Sequence, residues 1–248
     1  MEKNINNSSG NMKGYIIYEG PSQLDGEPIV GLVTLGSSNV KTGNLMQMYI
    51  MRADVRPTLA TKTGQDKSVC GDCKHRHHLE GSCYVMPFTG PLPVWKSWKA
   101  GNYVKPQDFS VFNNKSIRFG AYGDPHALPL DILIAIKSRC RNNTSYTHQW
   151  QEMDPVQELV AQQFGMASVD NLEEKEEANS RGWRTFRVVE DYKNLEEDEI
   201  ICPNITSGVS CIECKLCSGT KVNAKNIVVK AHGVKSKRVA LKNASKVN

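Results

Sequence analysis

The sequence predicts an α/β fold: a partial, open barrel of parallel strands and helices, with a cysteine-rich metal-binding segment near the carboxyl end. Apolar strand-like runs alternate with helix-like runs, which is the pattern of βα units. We count about five or six such units, too few for a complete eight-stranded barrel. Seven of the eight cysteines fall in two short stretches, which is typical of metal ligands rather than of scattered core thiols.

Size and composition exclude several classes of protein. The 248 residues are 39% hydrophobic and 23% charged, which are ordinary values for a globular chain with a core. No apolar run approaches the roughly 18 residues that a membrane-spanning helix needs, so we expect no membrane contact. The polar start "MEKNINNSSGNMK" lacks the apolar centre of a secretion signal. We therefore expect a cytoplasmic protein, in which clustered thiols bind metals or catalyse rather than form disulfides.

The first part of the predicted barrel contains two βα units. We expect residues 1–36 to be an N-terminal extension, partly disordered, and residues 37–200 to form the barrel. The apolar run "LMQMYIMRA" predicts the first strand. A polar cysteine-containing loop and a short helix ending at Gly101 follow it. "SIRFGAYGDP" predicts the next strand with its turn, and "LPLDILIAIKSRC" predicts the next helix.

The second part continues the alternation. "TSYTHQW", "GMASVD" and "WRTFRVVE" predict strands, and Asp154 with Pro155 marks the start of a helix between the first two. "NLEEKEEANSRG" predicts a helix closed by Gly182. Residues 201–233 hold the second cysteine group and a last strand. The tail, residues 234–248, carries five Lys or Arg and no acid, which predicts either a weak contact with nucleic-acid phosphates or a solvated end.

Polar residues stand where the predicted parallel strands end. Because the carboxyl ends of parallel strands meet at one edge of a sheet, these residues are expected to face one pocket. Arg184 and Arg187 alternate with Trp183 and Phe186, so they could bind a phosphate or carboxylate, although period-two alternation is also ordinary in a strand. The pocket candidates, all considered for catalysis or binding, are Asp124, His148, Ser168, Asp170 and His232.

The first cysteine group has the order C-x2-C-x9-C. Cys70 and Cys73 can present two thiolates to one metal from a tight turn, and Cys83 supplies a third. Zinc would complete a four-coordinate site with one of the intervening histidines, which are His75, His77 and His78. An iron–sulfur cluster could use the three cysteines alone and leave one iron open. The spacing leaves both alternatives open.

The second group combines a Cys-Pro pair with three cysteines on a three-residue step. These are Cys202, Cys211, Cys214 and Cys217. Four thiolates so close together repel one another without a cation, so we expect a metal. The compact spacing resembles ferredoxin-type ligation and favours an iron–sulfur cluster. Zinc, which more often uses two separated C-x-x-C pairs, is the alternative.

The first cysteine loop and the strand "IRFGAYGDP" together resemble the radical SAM (S-adenosylmethionine) superfamily. The resemblance implies a four-iron cluster on Cys70, Cys73 and Cys83. It also implies that Tyr122, Gly123, Asp124 and Pro125 form the turn that contacts the amino group of S-adenosylmethionine, and that Ser168 and Asp170 line the same pocket. A carboxylate suits an ammonium group because it accepts charge-assisted hydrogen bonds. The second cysteine group would then be an auxiliary cluster.

The chain from Ser37 to Gly233 also resembles an uncharacterised bacteriophage protein family, through "CGDC", "YTHQW", "MASVD" and "GWRTFRV". That resemblance implies the host cytoplasm and no particular reaction. The first hypothesis is therefore a radical-SAM-like enzyme acting on an unknown small-molecule or macromolecular substrate. The alternatives are a zinc-stabilised protein that binds nucleic acid or a host protein, and a barrel that binds without catalysis. The identity of the metal separates the first hypothesis from the zinc alternative.

Overall fold

The computed structural model describes residues 12–220 and 224–231, and in this part the chain is α/β. The helices are α1 (Pro57–Thr63), α2 (Lys67–Cys70), α3 (Pro91–Lys99), α4 (Leu130–Lys137), α5 (Pro155–Gln162), α6 (Leu172–Ser180), α7 (Pro203–Thr206) and α8 (Cys211–Cys214). The strands are β1 (Gly14–Pro21), β2 (Pro28–Thr34), β3 (Met46–Arg52), β4 (Tyr103–Val104), β5 (Ser116–Tyr122), β6 (Asn142–Thr144), β7 (Tyr146–Thr147), β8 (Met166–Val169), β9 (Thr185–Val189), β10 (Glu199–Ile201) and β11 (Asn226–Lys230).

The first sheet has the order β4-β1-β2-β3-β5-β6. Strands β1, β2 and β3 pair antiparallel, whereas β3, β5 and β6 run parallel. The expectation that residues 1–36 form an extension outside the sheet is therefore wrong for residues 14–34. Of these residues, β2 pairs in register with β3, and β1 pairs with β2. Strand β2 is apolar along most of its length and is buried there, with Ile29, Val30 and Leu32 fully enclosed.

The second sheet has the order β10-β11-β9-β8-β7, and all its pairs are parallel. One segment, residues 142–147, belongs to both sheets, because β6 pairs with β5 and β7 pairs with β8. Between these two short strands, the backbone N–H of Ser145 donates to the carbonyl of Cys217 at 3.1 Å. The two sheets are thus continuous through this segment, and the second cysteine group is attached where they join.

The largest core lies under the first sheet. Strand β5 contributes Ile117 and Phe119 to this core, and helix α4 packs Leu133 and Ile136 against the same cluster. A smaller core around Trp150 and Trp183 supports the second sheet. The predicted helices over residues 93–101, 128–140, 153–164 and 171–182, and the strands within 45–53, 116–125, 165–170, 183–190 and 225–233, are confirmed with small differences in their ends.

The turn after β5 depends on a glycine. Gly123 has φ +81°, and a Cβ atom there would lie 2.7 Å from the carbonyl oxygen of Ile50 on β3. The next backbone N–H, that of Asp124, donates to the carbonyl of Val69 at 2.6 Å. A side chain at position 123 would therefore push the turn away from α2. This close approach places the turn directly against the helix that ends in Cys70.

The two arginines of β9 are engaged inside the fold. Arg184 donates to the carbonyls of Leu216 (2.6 Å) and Gly219 (3.0 Å), and also to those of Ala224 and Lys225. Arg187 forms a bidentate ion pair with Glu199, with Nε 2.8 Å from Oε1 and Nη2 2.6 Å from Oε2. The hypothesis that these arginines bind an external phosphate or carboxylate is wrong, because their donors already have buried partners.

We expect Arg187→Met to lower the free energy of unfolding by roughly 3–5 kcal/mol, because it leaves the carboxylate of Glu199 buried without its cation. The double variant Arg187→Met with Glu199→Leu should recover most of this loss. Urea unfolding measures both. Lys193→Met, at a side chain 84% exposed, is the control and should change stability by less than about 0.5 kcal/mol. A double variant as unstable as the single one would contradict the interpretation.

Candidate metal centres

The four cysteines of the second group line one cavity. Cys202 follows β10 and precedes α7, Cys211 and Cys214 lie on α8, and Cys217 comes three residues later. Besides them, the cavity is lined by Thr144, Tyr146, Pro203, Asn204, Lys215, Leu216 and Ile227. The structure therefore brings together the four thiols that the sequence singled out.

Local sequence explains this arrangement. Pro203 stands at the first turn of α7, and Ser210 and Glu213 form a reciprocal capping box on α8, so the two short helices begin at defined residues. Longer-range bonds fix their position. The N–H of Cys202 donates to the carbonyl of Val228 at 2.9 Å, and that of Cys211 donates to the carbonyl of Lys41 at 3.0 Å. The cysteine segment is thus attached to β11 through Cys202 and to the loop between β2 and β3 through Cys211.

The environment of these thiols disfavours thiolates unless a cation is present. Burial raises the pKa of Cys217 to about 12, although a hydrogen bond with Tyr146 opposes the rise. Burial also raises the pKa of Cys211, and the neighbouring Cys202 adds to the effect. A bound metal reverses this balance because it stabilises the deprotonated sulfur directly. The donor set therefore fits a metal or cluster that binds thiolates.

A positive charge lies beside this group. Arg118 of β5 donates from Nη2 to the hydroxyl of Tyr84 at 3.0 Å, and its charge opposes the rise in the pKa of Cys211. Its Nε atom is buried, and within residues 12–220 and 224–231 it has no hydrogen-bond partner. The same residues give the guanidinium no carboxylate within ion-pair distance. A buried donor without an acceptor is costly, so this site suits an additional anionic group.

The first cysteine group is held in a folded-back loop. Cys70 ends α2, the N–H of Cys73 donates to the carbonyl of Cys70 at 3.3 Å, and the N–H of Cys83 donates to the carbonyl of His75 at 3.0 Å. Burial raises the pKa of Cys70 well above its usual value, and the charges of Cys73 and then Cys83 add to the rise. Burial likewise raises the pKa of Cys73 to about 12. The three sulfurs are thus close enough to interact electrostatically.

Two of the three histidines in this loop have other partners. His75 has Nδ1 at 2.5 Å from the Oγ of Ser82 and Nε2 at 2.7 Å from Asp170. His77 uses Nε2 to bond the carbonyl of Val85 at 2.8 Å. The zinc alternative needs one histidine beside the three cysteines, and these contacts direct His75 and His77 elsewhere. A zinc site in this loop would therefore have to use His78, which is exposed.

A third set of possible metal ligands lies outside the cysteines. Among the described residues, one group of three possible ligands has its atoms within 4.8 Å of one another, and it contains no cysteine. The two cysteine groups offer thiolates, which both zinc and iron–sulfur clusters bind.

The predicted cofactor turn is present, and Asp124 is deeply involved in it. Its carboxylate accepts from the hydroxyl of Thr147 (3.0 Å), the backbone N–H of His148 (2.9 Å) and that of His126 (3.1 Å). Pro125 begins the short 3-10 helix that Asp124 caps. Tyr122 is 5% exposed, and its hydroxyl has no hydrogen-bond partner in the part of the chain that the structure describes. Asp124 thus joins the end of β5 to the end of β7.

The other predicted pocket residues have different outcomes. His148 and Asp170 lie together, and they are joined by His75 from the cysteine loop, with the ligand atoms of the three within 4.8 Å. Ser168 lies on β8, and Asp170 follows directly after the end of that strand. His232 and the tail, residues 234–248, lie outside the described residues. Neighbours that the sequence did not identify are Lys74, Thr147 and Glu174.

Lys74 and Glu174 complete the surroundings of Asp170. The ammonium group of Lys74 lies 2.5 Å from Asp170 Oδ2 and 3.4 Å from Glu174. Burial alone would raise the pKa of Asp170, but the hydrogen bond and charge of His75, the charge of His148 and the bond to Lys74 outweigh it. The pKa of Asp170 therefore lies well below its usual range.

Among the residues that the structure describes, no helix is both long enough and apolar enough to cross a bilayer.

The lowered pKa of Asp170 predicts a pH-dependent contribution to stability. A carboxyl whose pKa is lower in the folded than in the unfolded state stabilises the fold above its ordinary pKa of about 3.9, and that contribution is lost as the pH falls through the folded value. We expect the difference in unfolding free energy between the wild type and Asp170→Asn to be larger at about pH 6 than at about pH 3. Urea unfolding at both pH values measures it. A difference that grows on acidification would contradict the assignment.

Comparison of the chain with protein-family models, with curated proteins and with solved structures found no match. The site therefore has to be interpreted from its own residues and geometry.

Proposed function

We propose that the protein binds two iron–sulfur clusters and is a radical-SAM-like enzyme. The observation that carries the proposal is the second cysteine group, in which four thiols line one cavity beside Arg118, whose buried Nε has no hydrogen-bond partner among the described residues. A four-iron cluster with four thiolates has a net negative charge, which Arg118 would balance. Zinc, held by the same four thiolates, is the alternative.

The first cysteine group would hold the second cluster. Cys70, Cys73 and Cys83 supply three ligands, and His75 and His77 are bonded to Asp170 and Val85, so one iron would stay open. One-electron reduction is the chemistry that such a cluster supplies when it is bound. An open iron at the edge of a pocket is the arrangement that the radical SAM resemblance implies.

The order of the parallel strands supports a partial barrel. In space, β3 is followed by β5, the β6–β7 segment, β8 and β9, which is also their order along the chain. The cysteine loop follows β3, the strand that comes first in this series, and the pocket residues follow β5, β7 and β8. S-adenosylmethionine would bind at this edge, beside Tyr122, Gly123 and Pro125. Because Asp124 already accepts from three residues, we assign it to holding the turn.

Iron and sulfide content tests the two clusters. Protein purified and reconstituted without oxygen should be brown and contain about eight irons per chain, as two four-iron clusters require. Cys214→Ser and Cys73→Ser should each remove about half of the iron, because each alters one centre. Cys140→Ser is the matched control, since Cys140 lies outside both groups and should leave the iron unchanged. Colourless protein with stoichiometric zinc would instead support the nucleic-acid-binding or host-protein-binding alternative.

Binding of S-adenosylmethionine tests the enzyme proposal separately. Isothermal titration should detect it with reconstituted wild type and with Cys140→Ser, and the heat should disappear with Cys83→Ser, which lacks a ligand of the first cluster. Equal binding to Cys83→Ser would remove the cofactor from that cluster. Two intact clusters without any binding would leave an iron–sulfur protein of another class and would disprove the radical-SAM-like proposal.

A further inference from the structure

We infer that His75, His148 and Asp170 form a binding site for one divalent first-row metal ion of the Mn²⁺ or Fe²⁺ type, separate from both cysteine centres. Their ligand atoms lie within 4.8 Å of one another. Two imidazoles and one carboxylate on one side of an ion are the donor set of mononuclear iron and manganese sites that keep open positions. The inference does not depend on what the cysteines bind.

Three separate parts of the fold supply the ligands. His75 comes from the loop between Cys73 and Cys83, His148 follows β7, and Asp170 follows β8. His75 and Asp170 are 95 positions apart in the sequence, yet both are largely buried, with side chains 12% and 6% exposed. The rings of His75 and His148 are 5.7 Å apart at 60°. Convergence of donors from three elements gives a site whose geometry the fold determines.

The surrounding contacts hold each of the three residues in place. His75 has Nδ1 beside the Oγ of Ser82 and Nε2 directed at Asp170. The backbone N–H of His148 donates to Asp124, and that of Asp170 donates to Glu174 at 2.8 Å. The Ser82 contact is of the kind that fixes an imidazole tautomer in metal sites.

The net charge around Asp170 is compatible with a bound cation. Ion pairs and hydrogen bonds among the same residues hold the site together when no cation is bound. Lys74 contributes one positive charge, and Asp170 and Glu174 contribute two negative charges, so the sum is one negative charge when the imidazoles are neutral. Without a metal, the hydrogen bond from His75 and the ammonium of Lys74 occupy the carboxylate of Asp170. A divalent ion would replace these bonds, so Lys74 competes with it. Protonation of the imidazoles would also compete, so acid should weaken binding.

A purely structural role is the contrasting interpretation. The same contacts would then only attach the cysteine loop to the end of β8, and no metal would bind. The two interpretations differ in the effect of Lys74. A structural network loses a partner when Lys74 is removed, whereas a metal site loses a competitor.

Mn²⁺ is the probe, because it prefers nitrogen and oxygen ligands to thiolates and so does not report on the cysteine centres. Free Mn²⁺ is measured by electron paramagnetic resonance during titration of the anaerobically reconstituted full chain at neutral pH. We expect one ion per chain for the wild type and at least tenfold weaker binding for His148→Ala. His78→Ala is the matched control, since His78 lies in the same loop but is exposed and outside the group, and it should bind like the wild type.

Lys74→Met should bind Mn²⁺ several-fold more tightly than the wild type. Mn²⁺ should raise the melting temperature of the wild type but not that of His148→Ala, and the melt of that variant also shows that it is folded. No binding by the wild type, equal binding by His148→Ala, or weaker binding by Lys74→Met would each overturn the assignment. Iron and sulfide measured on the same samples report on the cysteine centres, so failure of the two proposals can be told apart.

Discussion

The carboxylate of Asp124 accepts hydrogen bonds from Thr147, His148 and His126. The backbone N–H of the same residue donates to the carbonyl of Val69. These few bonds connect the end of β5, the end of β7 and the helix that carries Cys70. Because Asp124 is 7% exposed, water cannot substitute for the lost partners if one of them moves. The attachment of α2 to the turn depends on the backbone N–H of Asp124, and the position of His148 relative to that turn depends on its carboxylate.

Burial disfavours the thiolate form in both cysteine groups, but the charged residues around the two groups differ. In both, burial raises the pKa of at least one thiol to about 12, so a bound cation is needed to form the thiolates. The second group lies beside Arg118, whose buried Nε has no acceptor among the described residues. Arg76 lies beside the first group and its charge opposes the rise in the pKa of Cys73, but its guanidinium, unlike that of Arg118, is paired with a carboxylate, that of Asp66 at 3.3 Å. Three thiolates also carry less charge than four. The different ligand numbers are consistent with one complete and one open centre.

The loops after β3, β7 and β8 bring two kinds of donor together. Sulfur ligands lie on the loop after β3, and nitrogen and oxygen ligands gather where the same loop contacts β8 through His75 and Asp170. One loop of thirteen residues between Gly71 and Cys83 thus takes part in both proposed sites. A change in either site would be transmitted through this loop, which makes its attachment to Asp170 by Lys74 and His75 important for both.

The sequence by itself determined the features whose causes are local in the chain. Asp154 and Pro155 supply the cap and the first residue of α5, and apolar runs form strands. The cysteine spacings place the thiols of each group within reach of one another. The tertiary structure decided the features that join distant residues. It paired β2 with both β1 and β3, gave Arg184 four carbonyl partners and brought His75 to Asp170. Local patterns cannot specify such pairings, because many distant partners are chemically equivalent until packing and loop closure select one.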